Sequence, residues 1–343
     1  MRREGGARPL VLYSGDMVTG TGRQDLYKAQ ALAEALGSLE SAVVQIGAAE
    51  LSFGQGAVDS IADLSGRQLV ESAAVAGSTQ AREERPPFLV AAAEGVRVPD
   101  QARSAVESAK AASLAPIVLL LGDRAAASAL ARQFPELALI VFSQSGTAET
   151  LREGPVLIVS PGSKLKSVVR LRWTGDRFET PAVIDLGPEW PDDPAVARIF
   201  ARYLRRVAGA GLIDQIPRVP SGAFAGSTTC GACHGAATAK WKRSAHARAL
   251  ATLEHEHEAA DPDCVRCHTT GLGLSGGFYS RARTPALAAV GCESCHGPAR
   301  DHARSPHRAR LPKVGLQACQ NCHTLEQSPG FDAAMHWQVI RHR

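Results

Sequence analysis

All eight cysteines of the 343-residue chain occur in one repeated spacing, in which two residues separate a pair of cysteines and a histidine follows the second. On a helical turn, residues three and four positions apart share one face, so each copy presents two thiols and an imidazole together. Two thiols and an imidazole can form two thioether bonds and one bond to a metal. We number the copies motifs 1 to 4: Cys230-Gly231-Ala232-Cys233-His234, Cys264-Val265-Arg266-Cys267-His268, Cys292-Glu293-Ser294-Cys295-His296 and Cys319-Gln320-Asn321-Cys322-His323.

The spacing of the motifs is the signature of covalent c-type haem attachment. Zinc ribbons and thioredoxin-like dithiols also use pairs of cysteines two residues apart, but neither needs a histidine after every second cysteine. We therefore predict four c-type haems, with the eight cysteines as attachment points and the motif histidines as proximal iron ligands: His234, His268, His296 and His323.

Four such motifs within a short stretch of chain leave too few residues to build a separate apolar core around each haem. The stretch from about Gly222 onward is also poor in Leu, Ile, Val and Phe. We therefore expect the haems themselves to form the core. Redox centres packed this closely can pass electrons from one to the next.

The sixth ligand of each iron decides between an electron carrier and a catalyst, because an open coordination position can bind a small molecule. Seven histidines lie outside the motifs, and the distal candidates among them are His246, His302 and His342. His246 lies on a predicted helix over 237–253, and His342 ends an amphipathic stretch. The other four are interpreted as solvated surface histidines: His255, His257, His307 and His336.

Residues 227–343 resemble the tetrahaem cytochromes of the cytochrome c-554 family. The matching elements are Trp241-x-x-Ser244-x-His246, Cys264-x-x-Cys267-His268-Thr269-Thr270-Gly271, Gly291-Cys292-Glu293-Ser294-Cys295-His296-Gly297-Pro298 with His302, and Cys319-x-x-Cys322-His323 with Trp337-x-x-Ile340-x-His342. The resemblance implies three haems with two histidine ligands and one five-coordinate haem. We assign the open position to the haem of His268.

The residues before this region have a different pattern. Residues 9 to about 213 alternate apolar strand-length runs with helical spacing, which is typical of an α/β fold. The runs 168–173 and 178–184 flank Thr174-Gly175-Asp176 and predict a hairpin. The predicted organisation is an α/β domain over 1–213, a linker over 214–226 and a mostly α, haem-packed domain over 227–343.

The first domain resembles the calcineurin-like metallophosphoesterases, as found in 5′-nucleotidases, through Tyr13-Ser14-Gly15-Asp16, its strand order and its closing hairpin. A two-metal hydrolase of that family needs Asp, His and Asn ligands to hold its ions. Most are replaced: Gly47-Ala48-Ala49-Glu50, Leu121-Gly122-Asp123 and Ser143-Gln144-Ser145-Gly146 lack the family's histidines, and residues 1–233 contain none. We predict a degenerate domain without hydrolase activity, in which Asp16 is a turn or cap residue.

Charge and hydropathy exclude several classes of partner. The formal net charge is +4, and residues 221–343 carry 14 Lys and Arg against 9 Asp and Glu, which is no nucleic-acid footprint. The sequence has no apolar run long enough to span a bilayer. Its first residues contain no signal peptide. Because c-type haem is attached outside the bacterial cytoplasmic membrane, we expect an exported protein whose export signal lies upstream of Met1.

The function predicted from these observations is electron transfer between a redox donor and an acceptor protein, rather than enzymatic turnover. The first alternative is a redox enzyme acting on a small nitrogen or sulfur species at the five-coordinate haem. The second is a phosphoesterase or nucleotidase with an accessory cytochrome. An open iron position separates the first alternative from a pure carrier, and the missing histidines disfavour the second.

Overall fold

A computed structural model describes residues 9–15, 17–39, 42–66, 69–71, 88–143, 146–324, 327–328 and 330–342. The chain forms two units that divide between Tyr203 and Leu204, upstream of the predicted boundary at residue 213. The predicted fold class, an α/β part followed by a mostly helical part, is confirmed by the elements of the two units.

The first unit contains ten strands, counted over the described residues. They are β1 Val11–Tyr13, β2 Ala42–Ile46, β3 Leu69–Glu71, β4 Phe88–Glu94, β5 Ala115–Leu121, β6 Leu139–Phe142, β7 Glu149–Glu153, β8 Val156–Ser160, β9 Ser167–Arg170 and β10 Ala182–Asp185. A parallel sheet has the order β1-β2-β3, and a larger sheet has the order β4-β5-β6-β8-β7 with only β7 antiparallel. Strands β9 and β10 form the predicted antiparallel hairpin.

The helices of this unit pack on the sheets, and the strands are apolar because their side chains are buried under these helices. They are α1 Arg23–Gly37, α2 Ala48–Leu51, α3 Gln55–Leu64, α4 Val98–Ala112, α5 Arg124–Gln133 and α6 Pro194–Ala210, which runs across the division. Alternate residues of the central strands enter two different cores: Leu120 packs with Leu130 of α5, whereas Leu119 packs with Phe178 near the hairpin. Both faces of the central sheet are therefore buried, as expected for parallel strands.

The second unit is built from short helices around a small apolar core. The helices are α7 Leu212–Gln215, α8 Ser227–Cys230, α9 Gly235–Arg243, α10 Ala249–His255, α11 Pro262–His268, α12 Cys292–His296, α13 Arg300–Arg304 and α14 Ala333–Ile340, with 3₁₀ turns at Ala245–Arg248, Pro285–Leu287 and Leu316–Asn321. The core is formed by Phe224, Leu250, Leu253, Val265, Phe278 and Leu287. Such a core is small for a unit of this length, in agreement with the need for further apolar groups.

Residues 214–226, predicted as a linker, make specific contacts within the second unit. The Arg218 guanidinium donates to the carbonyl of Phe278 at 2.8 Å. The backbone N–H of Val219 donates to Gly273 at 2.9 Å. Phe224 is buried in the core.

The predicted single helix over 237–253 is wrong, because the helix is interrupted at Ser244. The Ser244 hydroxyl donates to the carbonyl of Trp241 at 2.6 Å, and its backbone turns to an extended conformation. Such a local hydrogen bond competes with helix continuation. His246 therefore lies on a 3₁₀ turn between α9 and α10 rather than within a helix.

Candidate haem-binding site

Each motif is held on a helical turn, as the spacing predicts. Motif 2 ends α11 and motif 3 forms α12, while motif 1 follows α8. The backbone N–H of His234 donates to Cys230 at 2.9 Å, and that of His323 donates to Cys319 at the same distance. All eight cysteines are free thiols. Each turn therefore presents two thiols and the following histidine from one short segment.

The structure pairs three motif histidines with the three predicted distal histidines. The ring centroids of His234 and His302 lie 6.2 Å apart. Those of His246 and His323 are also 6.2 Å apart, and those of His296 and His342 are 5.9 Å apart. Two imidazoles on opposite sides of one metal, with bonds of about 2 Å, place their centroids about 6 Å apart. The three pairs thus fit an iron between the rings.

The outer ring nitrogens of the paired histidines have protein partners. Nδ1 of His302 lies 2.7 Å from the carbonyl oxygen of Ala309. Nδ1 of His323 lies 3.2 Å from the hydroxyl of Ser328. Hydrogen bonds at Nδ1 fix the ring orientation and leave Nε2 for the metal. These contacts therefore suit metal binding through Nε2, although the exposed His336 has a similar contact between its Nδ1 and the carbonyl oxygen of Asp332 at 2.7 Å.

Burial keeps several of these imidazoles neutral. Burial and then the neighbouring His323 lower the pKa of His246. Burial and then His342 lower the pKa of His296. Burial and then His336 lower the pKa of His323. A neutral imidazole is the form that binds a metal, so the environment favours coordination.

His268 differs from the other motif histidines. Its Nδ1 lies 2.8 Å from the carbonyl oxygen of Ala249, which again leaves Nε2 for a metal. Within the described part of the chain, the ring contacts that join two histidines do not include His268. Each predicted distal histidine thus lies opposite a motif histidine. Among the described residues, no histidine lies opposite His268.

The thiols show which motifs lie next to each other. Burial and then the nearby Cys292 raise the pKa of Cys230 to about 11. Burial and then the nearby Cys267 raise the pKa of Cys322 to about 12. Burial and then Cys319 raise the pKa of Cys295. Motif 1 therefore adjoins motif 3, motif 3 adjoins motif 4, and motif 4 adjoins motif 2.

Sequence reasoning missed the role of Glu293, which lies between the two cysteines of motif 3. Its side chain is only 4% exposed. One carboxylate oxygen accepts from the backbone N–H groups of Ala225 and Ala299, both at 2.8 Å. The other accepts from Gly226 at 2.7 Å. Glu293 thus ties motif 3 to the segment before motif 1 and to the loop before His302. The only sequence signal for this role is that an acidic residue lies inside the motif.

Replacing Glu293 with Gln should destabilise the second unit. The amide nitrogen would face backbone donors that now meet a carboxylate, and each lost charge-assisted hydrogen bond costs about 1.5–3 kcal/mol. We expect the free energy of unfolding to fall by about 3 kcal/mol. Urea unfolding followed by Soret circular dichroism measures it. Glu254→Gln is the matched control, because its exposed ion pair with Arg281 contributes about 1 kcal/mol or less. Equal effects of both variants would contradict the role of Glu293.

Asp123 and Glu50, which lie in the segments that lack the family's histidines, accept hydrogen bonds from backbone N–H groups. Asp123 caps α5 by accepting from the N–H of Ala126 at 2.8 Å. Glu50 is buried and accepts from the N–H groups of Met17 and Gly47, each at 2.9 Å. Asp16 lies outside the described residues. Among those described, no three His, Cys, Asp and Glu side chains converge into a metal site.

None of the helices in the described part of the chain is both long and apolar enough to cross a bilayer.

Comparison with known proteins identifies the relatives of each part. Residues 229–297 match the family model "Cytochrome c554 and c-prime". Cytochrome c-554 of Nitrosomonas europaea is 40% identical over 129 residues, which cover 33% of this chain and 52% of that protein. The family match includes motifs 1 to 3, and motif 4 follows it.

The chain also has distant likenesses among solved structures. The sulfate thiohydrolase SoxB of Thermus thermophilus has a TM-score of 0.45 at 18% identity. The matched region covers 57% of this chain and 42% of the SoxB chain. A 5′-nucleotidase precursor of the same species has a TM-score of 0.44 at 18% identity, covering 65% of this chain and 54% of its own. The α/β class of the first unit rests on its own strands and helices.

The predicted resemblance to the cytochrome c-554 family is confirmed over residues 229–297, and the family supports a c-type cytochrome with covalently bound haem. The chain spans about half the length of the curated relative that it matches.

Proposed function

We propose that the second unit is a tetrahaem c-type cytochrome that transfers electrons between redox partner proteins. The single observation that carries the proposal is the set of three histidine pairs, whose ring separations of 5.9 to 6.2 Å fit an iron between each pair. When bound, haem supplies a one-electron ferric–ferrous couple.

In this proposal, each part of a motif has one task. The two cysteines of each motif hold haem through thioether bonds, and the motif histidine binds iron. His302 is the distal ligand in motif 1, His342 in motif 3 and His246 in motif 4. Two histidines bound to one iron would leave no position for a small ligand, which suits outer-sphere electron transfer.

The neighbouring thiols support a linear order of motifs for electron passage. Cys230 lies beside Cys292, Cys295 beside Cys319, and Cys322 beside Cys267. The order is therefore motif 1, motif 3, motif 4 and motif 2. Motifs 1 and 2 form the two ends, which gives the array separate places for a donor and an acceptor.

A second candidate function is favoured by one observation at motif 2. His268 is oriented for metal binding by Ala249 but has no histidine opposite it in the described structure. An open position there would suit a redox enzyme that acts on a small nitrogen or sulfur species. This candidate uses the same four motifs and differs only at one end of the array.

The proposal for the rest of the molecule follows from the missing ligands. Residues 1–213 are a phosphoesterase-like domain without hydrolase activity, which serves as a scaffold or binds a partner. Attachment of c-type haem outside the cytoplasmic membrane makes export part of the proposal.

A redox titration of the full chain, matured in a host that attaches c-type haem, tests the proposed function. We expect four covalent irons per chain, no zinc, and reversible reduction of every haem. Zinc bound in place of iron, or fewer than four covalent haems, would contradict the tetrahaem assignment. Mass spectrometry of the intact chain and metal analysis give both counts.

A further inference from the structure

One exposed segment of the second unit is strongly basic, and it lies between motifs 3 and 4. Between positions 300 and 313 it contains five cations and one acidic residue, Asp301. All five cationic residues are exposed. We call residues 300–313 the basic segment, and its five cations are Arg300, Arg304, Arg308, Arg310 and Lys313.

The basic segment is attached directly to predicted iron ligands. It includes His302, whose Nδ1 lies 2.7 Å from the carbonyl oxygen of Ala309. Arg308 and Arg310 flank that alanine, and the backbone N–H groups of Arg308 and Ala309 both donate to Ser305 at 3.0 Å. The segment thus forms an ordered turn over the histidine pair of motif 1.

The same segment also reaches motif 3. The backbone carbonyl of Pro312, next to Lys313, lies near the imidazole of His296. Two of the three histidine pairs therefore have cations of the basic segment within one residue of a carbonyl that lies beside a ring. Within the described part of this unit, the arginine ion pairs form at Arg281 and Arg283, away from this segment.

The opposite end of the array carries carboxylates instead. The Cys264 thiol of motif 2 donates to the Glu258 carboxylate at 3.8 Å. Asp261 caps α11, which carries motif 2, by accepting from the N–H of Asp263 at 2.9 Å. The cations of the basic segment thus lie near motifs 1 and 3, whereas motif 2 has the carboxylates of Glu258 and Asp261 beside it together with the exposed Arg266.

We propose that the basic segment is the docking surface for a redox partner protein that presents acidic side chains around its own redox centre. The inference rests on the proposed function, because docking there brings the partner close to the histidine pair of motif 1. Complementary charge steers such encounters and raises association rates. His234 and His302 would hold the haem iron that exchanges one electron with the partner, and no atom would be transferred.

The test compares oxidants of opposite charge on the dithionite-reduced full chain in a stopped-flow instrument. Ferricyanide is the anionic probe and tris(phenanthroline)cobalt(III) the cationic probe, and each accepts one electron from a ferrous haem. Poly-L-glutamate serves as the acidic polypeptide. The test variant is Arg308→Glu with Arg310→Glu, and the matched control is Arg97→Glu with Lys110→Glu, two exposed cations of the first unit.

At about 10 mM ionic strength, where charges act over about 30 Å, we expect the test variant to slow oxidation by ferricyanide roughly tenfold. Oxidation by the cobalt complex should become faster. The control should match the unmodified chain, and the differences should disappear at about 1 M salt. Poly-L-glutamate should slow ferricyanide oxidation of the unmodified chain but not of the test variant. Arg304→Gln with Lys313→Gln should shift the rates in the same direction without reversing any charge.

Unchanged ferricyanide rates in both test variants, an equal loss in the control, or no effect of poly-L-glutamate would overturn the docking surface. The loss of rate could also be accompanied by a change in haem content or in reduction potential. That result would mean that these cations pair with the carboxylates of the haem, and it would overturn the docking surface as well. Failure of the proposed function is distinguishable, because the unmodified chain would then carry no reducible haem before any kinetic comparison.

Discussion

A chain in which Cys319 and Cys322 are both replaced with Ala is expected to carry three covalent haems and to lose electron passage between motif 2 and motif 3. Haem attachment through thioethers needs the thiols of the motif. Motif 4 adjoins motif 3 through Cys295 and motif 2 through Cys267. Its removal therefore takes away the link between the two ends of the array.

Two measurements test the expected behaviour of this variant. Intact-mass analysis should show the loss of one haem. Stopped-flow oxidation of the reduced protein should then separate into two phases, because the haem at motif 2 no longer exchanges electrons quickly with those at motifs 1 and 3.

The matched control removes a haem from the end of the array instead. Cys230→Ala with Cys233→Ala also eliminates one covalent haem, but motifs 3, 4 and 2 remain in contact. We expect a single oxidation phase in this control. Two phases in the control, or one phase in the motif 4 variant, would contradict the order that the thiol contacts support.

Replacing His246 with Ala is expected to convert one low-spin haem into a high-spin haem. His246 faces His323 with 6.2 Å between ring centroids. Its backbone carbonyl accepts from the N–H of Val290 at 3.2 Å, and the carbonyl of Val290 in turn accepts from the Trp241 indole at 2.8 Å. The turn that carries His246 is therefore held independently of its imidazole, so truncation should open the iron site without unfolding the segment.

Carbon monoxide binding to the reduced protein measures this change, because it requires an open iron position. The unmodified chain should bind one equivalent, at motif 2, and the His246 variant should bind two. His255→Ala is the control, since this imidazole is 84% exposed and lies one helix away from His246. Carbon monoxide binding that stays at one equivalent in the His246 variant would remove His246 from the ligand set.

The sequence predicted best those parts of the fold in which short-range pattern and burial agree. The apolar runs of β6 and β8 are buried at every position, so the runs themselves marked the strands. Strand β7 has no such run, because half-buried and exposed positions alternate along it at the edge of the sheet. Strand β4 is ambiguous in sequence, because its alanines are compatible with a helix as well as a strand.

The candidate site divides in the same way. Motif spacing is local, so the cysteines and motif histidines could be identified from the sequence, and so could three distal candidates. The pairing could not, because His246 and His323 are brought together only by the folding of the whole unit. Nor could the contacts of the buried Glu293 carboxylate be predicted, because two of its three donors, Ala225 and Gly226, lie far away in the sequence. Helical spacing alone also concealed the break at Ser244.

The electron paramagnetic resonance spectrum of the matured, oxidised chain, with covalent haem counted on the same sample, tests the central claim most directly. Spin state reports the sixth ligand of each iron. We predict four haems, three of them low-spin from the pairs of His234, His323 and His296, and one high-spin at His268. Four low-spin haems would contradict the open position at motif 2, and two or more high-spin haems would contradict the histidine pairing.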